Sequence, residues 1–268
     1  MPVIQQYQLG DCIGKGAFGT VFRGLNLTNG KVVAVKQISL ENASRPPAMA
    51  SAETVIDSCL SEVAILKKLQ HPNIVRYLGF VQTDANLYQI LEYCENGSLR
   101  SIYKKFGRFP EHLVGVYLGQ VLAGLTYLHK QGIIHRDIKG ANILSTKDGR
   151  VKLADFGVST LVNDEDPHSV GSPYWMAPEV IELGGVTTAA DIWSLGCTVI
   201  ELLQGEPPYG RLSTVAALFR MVQDPHPPLP TGLSSLVRDF LRHCFPKDPS
   251  QRGSAPFLSR HPWIQKCR

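Results

Sequence analysis

"GKGAFGTVFRGLNLTNGKVVAVK", residues 14–36, decides between two folds. Its first six residues match G-x-G-x-x-G, a spacing shared by dinucleotide-binding turns and by glycine flaps over phosphate chains. A dinucleotide site needs a helix right after the third glycine and an acid about twenty residues on. Glu41 stands near that distance. However, "TVFRGLNLTNG" carries β-branched residues, Gly24 and an Asn29-Gly30 turn signal, the composition of a strand entering a hairpin. The stretch therefore reads strand, glycine loop, strand. Without Cβ atoms, backbone N–H groups can approach phosphate oxygens. Taken alone, the stretch also fits a hairpin turn with incidental glycines.

The next strand ends in "VVAVK", where two-residue periodicity puts Val32, Ala34 and Lys36 on one face. A lysine at a strand end usually snorkels to water. Beneath a phosphate flap it would be a fixed cation, and it then needs a counter-charge. The helical pattern over residues 52–69 offers Glu53, Asp57 and Glu62. Glu62 alone has Ile65, Leu66 and Leu69 at i+3, i+4 and i+7, beside the inward stripe. Glu62 is the expected partner of Lys36; Glu53 and Asp57 read as a solvated face.

Strand-like segments cover residues 7–14, 20–27, 32–40, 74–81 and 87–93, and the character changes after "ENGS" at 95–98. Helical patterns follow at 110–129, 188–203, 213–222 and 233–245, while "YKKFGR" (103–108) reads as a solvated face. The expectation is an α+β chain with a small β-rich lobe carrying one helix and a larger α-helical lobe.

In "HRDIKGAN" (135–142), an acid, a base and an amide are packed between apolar residues. Downstream, "ILSTKDGRVKLADFG" (143–157) reads as two short strands around Asp148-Gly149. If Lys147 pairs with Arg150, Asn142 falls opposite Asp155, with Cβ atoms roughly 4.5–5.5 Å apart. An amide oxygen and a carboxylate so placed suit Mg²⁺ shared with phosphates. An Asx-turn or a cap at each position is the plainer alternative, and a three-residue loop would shift the register by one. Asp137 can orient an incoming hydroxyl and accept its proton, and Lys139 can neutralise charge on the transferred group.

The 268 residues are 44% hydrophobic and 19% charged, with net charge +4 and no long basic run, which does not indicate nucleic acid. The six cysteines have no metal-ligand spacing and read mostly as small buried hydrophobes in a reducing compartment. No signal peptide, lipidation motif or membrane span is visible. A cytoplasmic protein without membrane insertion is expected.

Taken in order, "IGKGAFGTV", "VAVK", Glu62, "HRDIKGAN", "DFG", "APE" and "DIWSLG" resemble eukaryotic protein kinases from about residue 7 to 263. The loop "HRDIK" resembles serine/threonine kinases. "GDCIGKGAFGTVFRGLN", "LEYCENGSL" and "PYWMAPEVIE" are similar to Ste-type MAP kinase kinase kinases, in particular the septation-initiation kinases and the plant epsilon class. The resemblance implies one two-lobed catalytic domain over 1–268, with an N-lobe at about 7–94 and a C-lobe at about 97–263, using ATP and Mg²⁺. It implies transfer of the γ-phosphoryl group to Ser or Thr of a protein, another kinase by family habit, in a MAP-kinase or septation cascade.

By the same resemblance Asp137 is the catalytic base, with Lys139, Lys36 and Glu62 completing the catalytic set, and Asn142 and Asp155 are metal ligands. Ile13, Gly14, Lys15, Gly16, Ala17, Phe18, Gly19, Val21, Ala34, Lys36, Glu92, Cys94 and Leu144 are implied around the nucleotide. Leu91 resembles a gatekeeper and Arg136 a phosphate receptor. Ser169, Ser172 and Thr160 are the candidate regulatory hydroxyls. Glu179 and Arg252 resemble the family's buried ion pair, and Asp191 the acid bracing the catalytic loop. The alternative is a pseudokinase scaffold, disfavoured because no catalytic position is missing.

Overall fold

The computed structural model describes residues 3–16, 19–40, 62–157, 159–161 and 172–268. The chain divides into two compact units, Met1–Glu95 and Asn96–Arg268. In the first, β1 (Val3–Ile4), β2 (Tyr7–Gly16), β3 (Gly19–Asn26), β4 (Val32–Ser39), β5 (Tyr77–Gln82) and β6 (Asn86–Glu92) form one sheet. The order is β1-β2-β3-β4-β6-β5, antiparallel throughout. The expected strand at 74–81 begins only at Tyr77, because the Ile74 amide is spent on the His71 carbonyl at 3.1 Å.

Strand β3 follows the glycine loop directly, so the dinucleotide reading is excluded by architecture. Val33 and Val35 on β4 pack with Tyr7, Leu9, Val81, Tyr88 and Ile90 in the sheet's core. Alternation sends Ala34 and Lys36 to the opposite face. Gly24, first read as a helix breaker, has a packing role as well. A Cβ there would stand 2.8 Å from Val35 Cγ2 and 3.2 Å from Val33 Cγ2. Gly24→Ala is expected to destabilise the protein by about 1–3 kcal/mol through overpacking, read as a shifted urea midpoint. An unchanged midpoint would show that the sheet yields at this point. The described part of helix α1, residues 62–68, buries Val63 and Leu66, with Leu69 just beyond.

The second unit contains α2 (Leu99–Phe106), α3 (Glu111–Lys130), α4 (Pro178–Ile181), α5 (Thr188–Gln204), α6 (Thr214–Gln223), α7 (Ser235–Cys244), α8 (Ala255–Leu258) and α9 (Pro262–Lys266). Helix α2 was not expected. The Ser98 hydroxyl caps it by accepting the Ser101 N–H, and its buried side chains are only Leu99 and Tyr103, too few for a legible stripe. Every residue of α5 from Ala190 to Leu203 is buried, which makes it the unit's central helix. Thr187 caps its start and Gly205, at φ 82°, ends it in the left-handed conformation. Strands β7 (Gly97–Ser98), β9 (Ile143–Ser145) and β10 (Val151–Leu153) form a small sheet, and β8 (Ile133–Ile134) pairs with β11 (Thr160–Leu161).

One register differs from expectation. Val151 faces Ser145, Lys152 faces Leu144 and Leu153 faces Ile143. The β9–β10 loop therefore spans three residues, 147–149, not two. Thr146 N–H closes it on the Arg150 carbonyl at 2.9 Å, and Gly149 sits at φ 77°, as three-residue hairpins favour. Each pair moves by one, so Asn142 stands against Ala154, whose N–H donates to the Asn142 carbonyl at 2.9 Å. Asn142 and Asp155 are not ladder partners.

Candidate active site

In the first unit, Gly14 pairs with Val21, Lys15 with Thr20 and Gly16 with Gly19, so the hairpin runs to the glycine motif. Gly19 has φ 140°, and a Cβ there would stand 2.1 Å from the Gln37 carbonyl oxygen. Only glycine fits. Ala17 and Phe18 lie outside the described residues, as do Glu53, Asp57, Cys59 and Ser169.

Lys36 is 7% exposed and Glu62 6%. The Lys36 ammonium lies 3.3 and 3.4 Å from the two Glu62 oxygens. Glu62 Oε2 also accepts the Gln89 amide at 2.9 Å. Register explains the third member, since Gln89 faces Lys36 directly across β4 and β6. Sequence reasoning missed Gln89. A polar residue inside the apolar run "LYQILEY" was the available signal. Ala34 faces Leu91 in the same ladder, Glu92 Oε2 accepts the Arg76 N–H at 3.1 Å, and Cys94 is buried. Cys12, by contrast, is exposed, unlike the other described cysteines.

In the second unit, the loop 135–142 is organised by α5. Asp191 Oδ2 accepts the His135 N–H at 3.0 Å and lies 2.8 Å from His129 Nε2, while Oδ1 accepts the Arg136 N–H at 2.8 Å. Burial alone would raise the Asp191 carboxyl; the hydrogen bond and charge of His129, with those of His135, outweigh it and hold the group below the usual carboxylate range. Burial pushes the His135 imidazole down, against the pull of Asp191, Asp137 and Asp155, and its ring packs on Phe156 at 4.8 Å. Arg136 and Asp155 have φ of 67° and 63°, strained values for non-glycine residues that cluster at functional sites.

The Asp137 carboxylate gathers the loop's polar groups. Oδ2 accepts the Lys139 ammonium at 2.7 Å and the Asn142 amide at 2.7 Å, while Oδ1 accepts the Ser172 hydroxyl at 2.8 Å. Lys139 Nζ also touches Ser172 Oγ. The Asn142 amide donates again to the Asp137 carbonyl at 2.9 Å. Its Nδ2 is thus committed, which leaves the amide oxygen as the ligand atom. With the half-buried Asp155 carboxylate, the donor set is hard oxygen, fitting Mg²⁺-like ions. Ser172, expected as a candidate regulatory hydroxyl, is a partner of Asp137, and a phosphate there would displace both of its contacts. Thr160 lies on β11, its backbone opposite Ile134.

Two further α5 residues were missed. Ser194 donates to the Trp175 carbonyl at 2.7 Å, and Thr198 to the Ile138 carbonyl at 3.2 Å. Asp191, Ser194 and Thr198 share one helix face at i, i+3 and i+7. That polar stripe within an apolar helix was readable. Elsewhere, Asp239, His243 and His261 are the one His/Cys/Asp/Glu group close enough to hold a metal among the described residues. His261 Nδ1 accepts the Trp263 N–H at 3.2 Å, so Nε2 carries the proton that faces Asp239 at 3.1 Å. A metal would need that nitrogen's lone pair; the group is a helix cap.

No described helix is long and apolar enough to cross a membrane. A family model described as "Protein kinase domain" matches residues 7–264. The chain is 61% identical over 266 residues to "Cytokinesis protein sepH" of Aspergillus niger, covering 99% of this chain and 19% of that protein. It is 61% identical over 257 residues to "Cell division control protein 7" of Schizosaccharomyces pombe, covering 96% and 23%. With "MAP3K epsilon protein kinase 1" of Arabidopsis thaliana it shares 58% over 268 residues, covering 98% and 19%. The chain spans about a fifth of the length of these relatives.

Proposed function

The chain belongs to the protein kinase family, and on that footing we propose that it transfers the γ-phosphoryl group of ATP to a serine or threonine hydroxyl with Asp137 as base. Family membership brings with it ATP, a divalent metal and a protein acceptor. The finer reading takes Mg²⁺ as the metal and a second kinase as the acceptor, in the cytoplasm, in a septation or MAP-kinase cascade. The names of the relatives support the cascade in that reading.

The carrying observation is the coordination of Asp137. A carboxylate has about four acceptor sites. Lys139 and Asn142 take two on Oδ2 and Ser172 takes one on Oδ1. The open site is on Oδ1, and the acceptor hydroxyl would bind there. As its oxygen attacks the γ-phosphorus, the bond to the ADP oxygen breaks and the hydroxyl proton passes to Oδ1. Lys139 neutralises charge on the moving phosphoryl group. Asn142 and Asp155 would hold Mg²⁺, which when bound offsets charge on the phosphate oxygens. Lys36, held by Glu62, would grip the phosphates, with residues 13–19, Val21, Ala34, Glu92, Cys94 and Leu144 around the nucleotide. Thr160 and Ser169 remain as candidate phosphorylation sites in this reading.

Lys36→Met leaves the buried Glu62 carboxylate with its Gln89 bond and without its lysine, so a lowered melting temperature is expected together with a fall in turnover of about 10²–10³-fold even at saturating ATP. Wild-type turnover under those conditions would refute the lysine's role. The reading as a whole is tested with labelled ATP and a panel of inactive kinases as acceptors, using an Asp137 variant as control. The completeness of Lys36, Asp137, Asn142 and Asp155 favours catalysis over the scaffold alternative.

A further inference from the structure

Strand β6 carries a polar side chain where its own pattern calls for an apolar one. Leu87, Gln89 and Leu91 alternate onto one face. The neighbouring strands set Ile38 beside Leu87, Lys36 and Phe80 beside Gln89, and Ala34 beside Leu91. Ile38, Leu87 and Phe80 pack as an apolar cluster. Gln89 is 0% exposed within that row.

A buried amide costs stability unless both of its ends are bonded. Only one end is. The nitrogen donates to Glu62 Oε2 at 2.9 Å, while Oε1 has no partner among the described residues. The carboxylate fixes which way round the amide lies, because an amide oxygen turned toward it would be repelled. Leucine or methionine would fill this position without leaving an acceptor unpaired. Stability therefore does not account for the glutamine.

The distances show what the nitrogen contributes. A cation and a carboxylate in direct contact sit about 2.7–2.9 Å apart. Lys36 Nζ stands 3.3 and 3.4 Å from the two Glu62 oxygens, so the neutral amide is the closer of the two donors. Glu62 is carried on helix α1, whereas Gln89 belongs to a strand hydrogen-bonded on both sides, to β4 and to β5. The amide thus ties the acid of the helix to the sheet independently of the lysine. An ammonium drawn onto a phosphate oxygen would give up part of its hold on Glu62, and the carboxylate would stay in place.

We propose that Gln89 is a positioning residue that tethers the Glu62 carboxylate to the sheet and so lets the Lys36 ammonium turn to the nucleotide phosphates. It acts through Glu62 and touches no reacting atom. The inference rests on the reading of Lys36 given above.

Steady-state kinetics with ATP and myelin basic protein as acceptor test it, beside amide hydrogen exchange over residues 62–69. Gln89→Met keeps the length of the side chain and removes the donor. Loss of one hydrogen bond to a charged group should lower kcat at saturating ATP roughly tenfold. The acceptor KM and the melting temperature should stay near wild type, and exchange over 62–69 should quicken. Gln89→Leu, branched but equally without a donor, should give the same split. In a Glu62→Ala background Gln89→Met should lower kcat no further, because the two residues act as one unit. A wild-type kcat in both Gln89 variants overturns the proposal, as does an undiminished tenfold fall in the Glu62→Ala background. A lowered melting temperature with kcat and both KM values impaired together overturns it too, because that marks a purely structural role. Failure of the lysine reading shows separately, as wild-type turnover in Lys36→Met; failure of the tether alone shows as unchanged exchange in Gln89→Met while Lys36→Met is defective.

Discussion

Asp137→Asn is expected to lower kcat by about 10²–10⁴-fold while leaving nucleotide affinity nearly intact. The three donors on the carboxylate dictate how the new amide would sit. Two of them, Lys139 and Asn142, converge on Oδ2 and have no acceptor capacity at the donating nitrogen. The amide NH2 cannot face them. It must turn toward Ser172, whose hydroxyl can rotate and accept. That places the nitrogen where the acceptor hydroxyl would give up its proton. The loop geometry survives and the base does not. Single-turnover transfer of labelled phosphate, paired with equilibrium nucleotide binding, separates the two effects. Full turnover in this variant would remove Asp137 from its role.

Glu179→Ala is expected to destabilise the second unit by about 3–5 kcal/mol, because it strands a buried guanidinium. The Arg252 side chain is 0% exposed and Glu179 13%. They meet as a fork, Nη1 to Oε1 and Nη2 to Oε2, both at 2.7 Å. Arg252 also donates to the carbonyls of Pro246 at 2.9 Å and Ala189 at 3.0 Å, and lies 5.0 Å over the Trp193 ring. Those carbonyls take two of its five donors and supply no counter-charge, and the two N–H groups that met Glu179 lose their acceptor. Urea denaturation followed by tryptophan fluorescence measures the loss. Replacing both partners with apolar residues of similar size should cost less than the single change. A single-variant loss under about 1 kcal/mol would show that water or a neighbouring acid reaches the guanidinium.

Much of this site was legible where a local rule had one outcome. Glu62 could be chosen over Glu53 and Asp57 because only its neighbours matched the inward stripe, and it meets Lys36. The β9–β10 hairpin was different. Asp148-Gly149 is compatible with loops of two or three residues, and the choice depends on Thr146 closing on Arg150 and on Gly149 adopting φ 77°. One residue of slip moved Asn142 from Asp155 to Ala154. Gln89 was passed over for a related reason. It is a polar residue in an apolar run, and Glu62, which accepts from its amide, lies 27 positions away.

The chain's order of residues was enough to determine strand after glycine loop, the lysine–glutamate pair and a helix over 188–203. These follow from periodicity and backbone preference, which act over a few neighbouring residues. Only the tertiary structure decided that the Ser172 hydroxyl donates to Asp137 Oδ1, and that the Gln89 amide joins Lys36 on Glu62. Hydrogen bonds of that kind depend on distances between segments far apart along the chain, and no local pattern encodes an ångström.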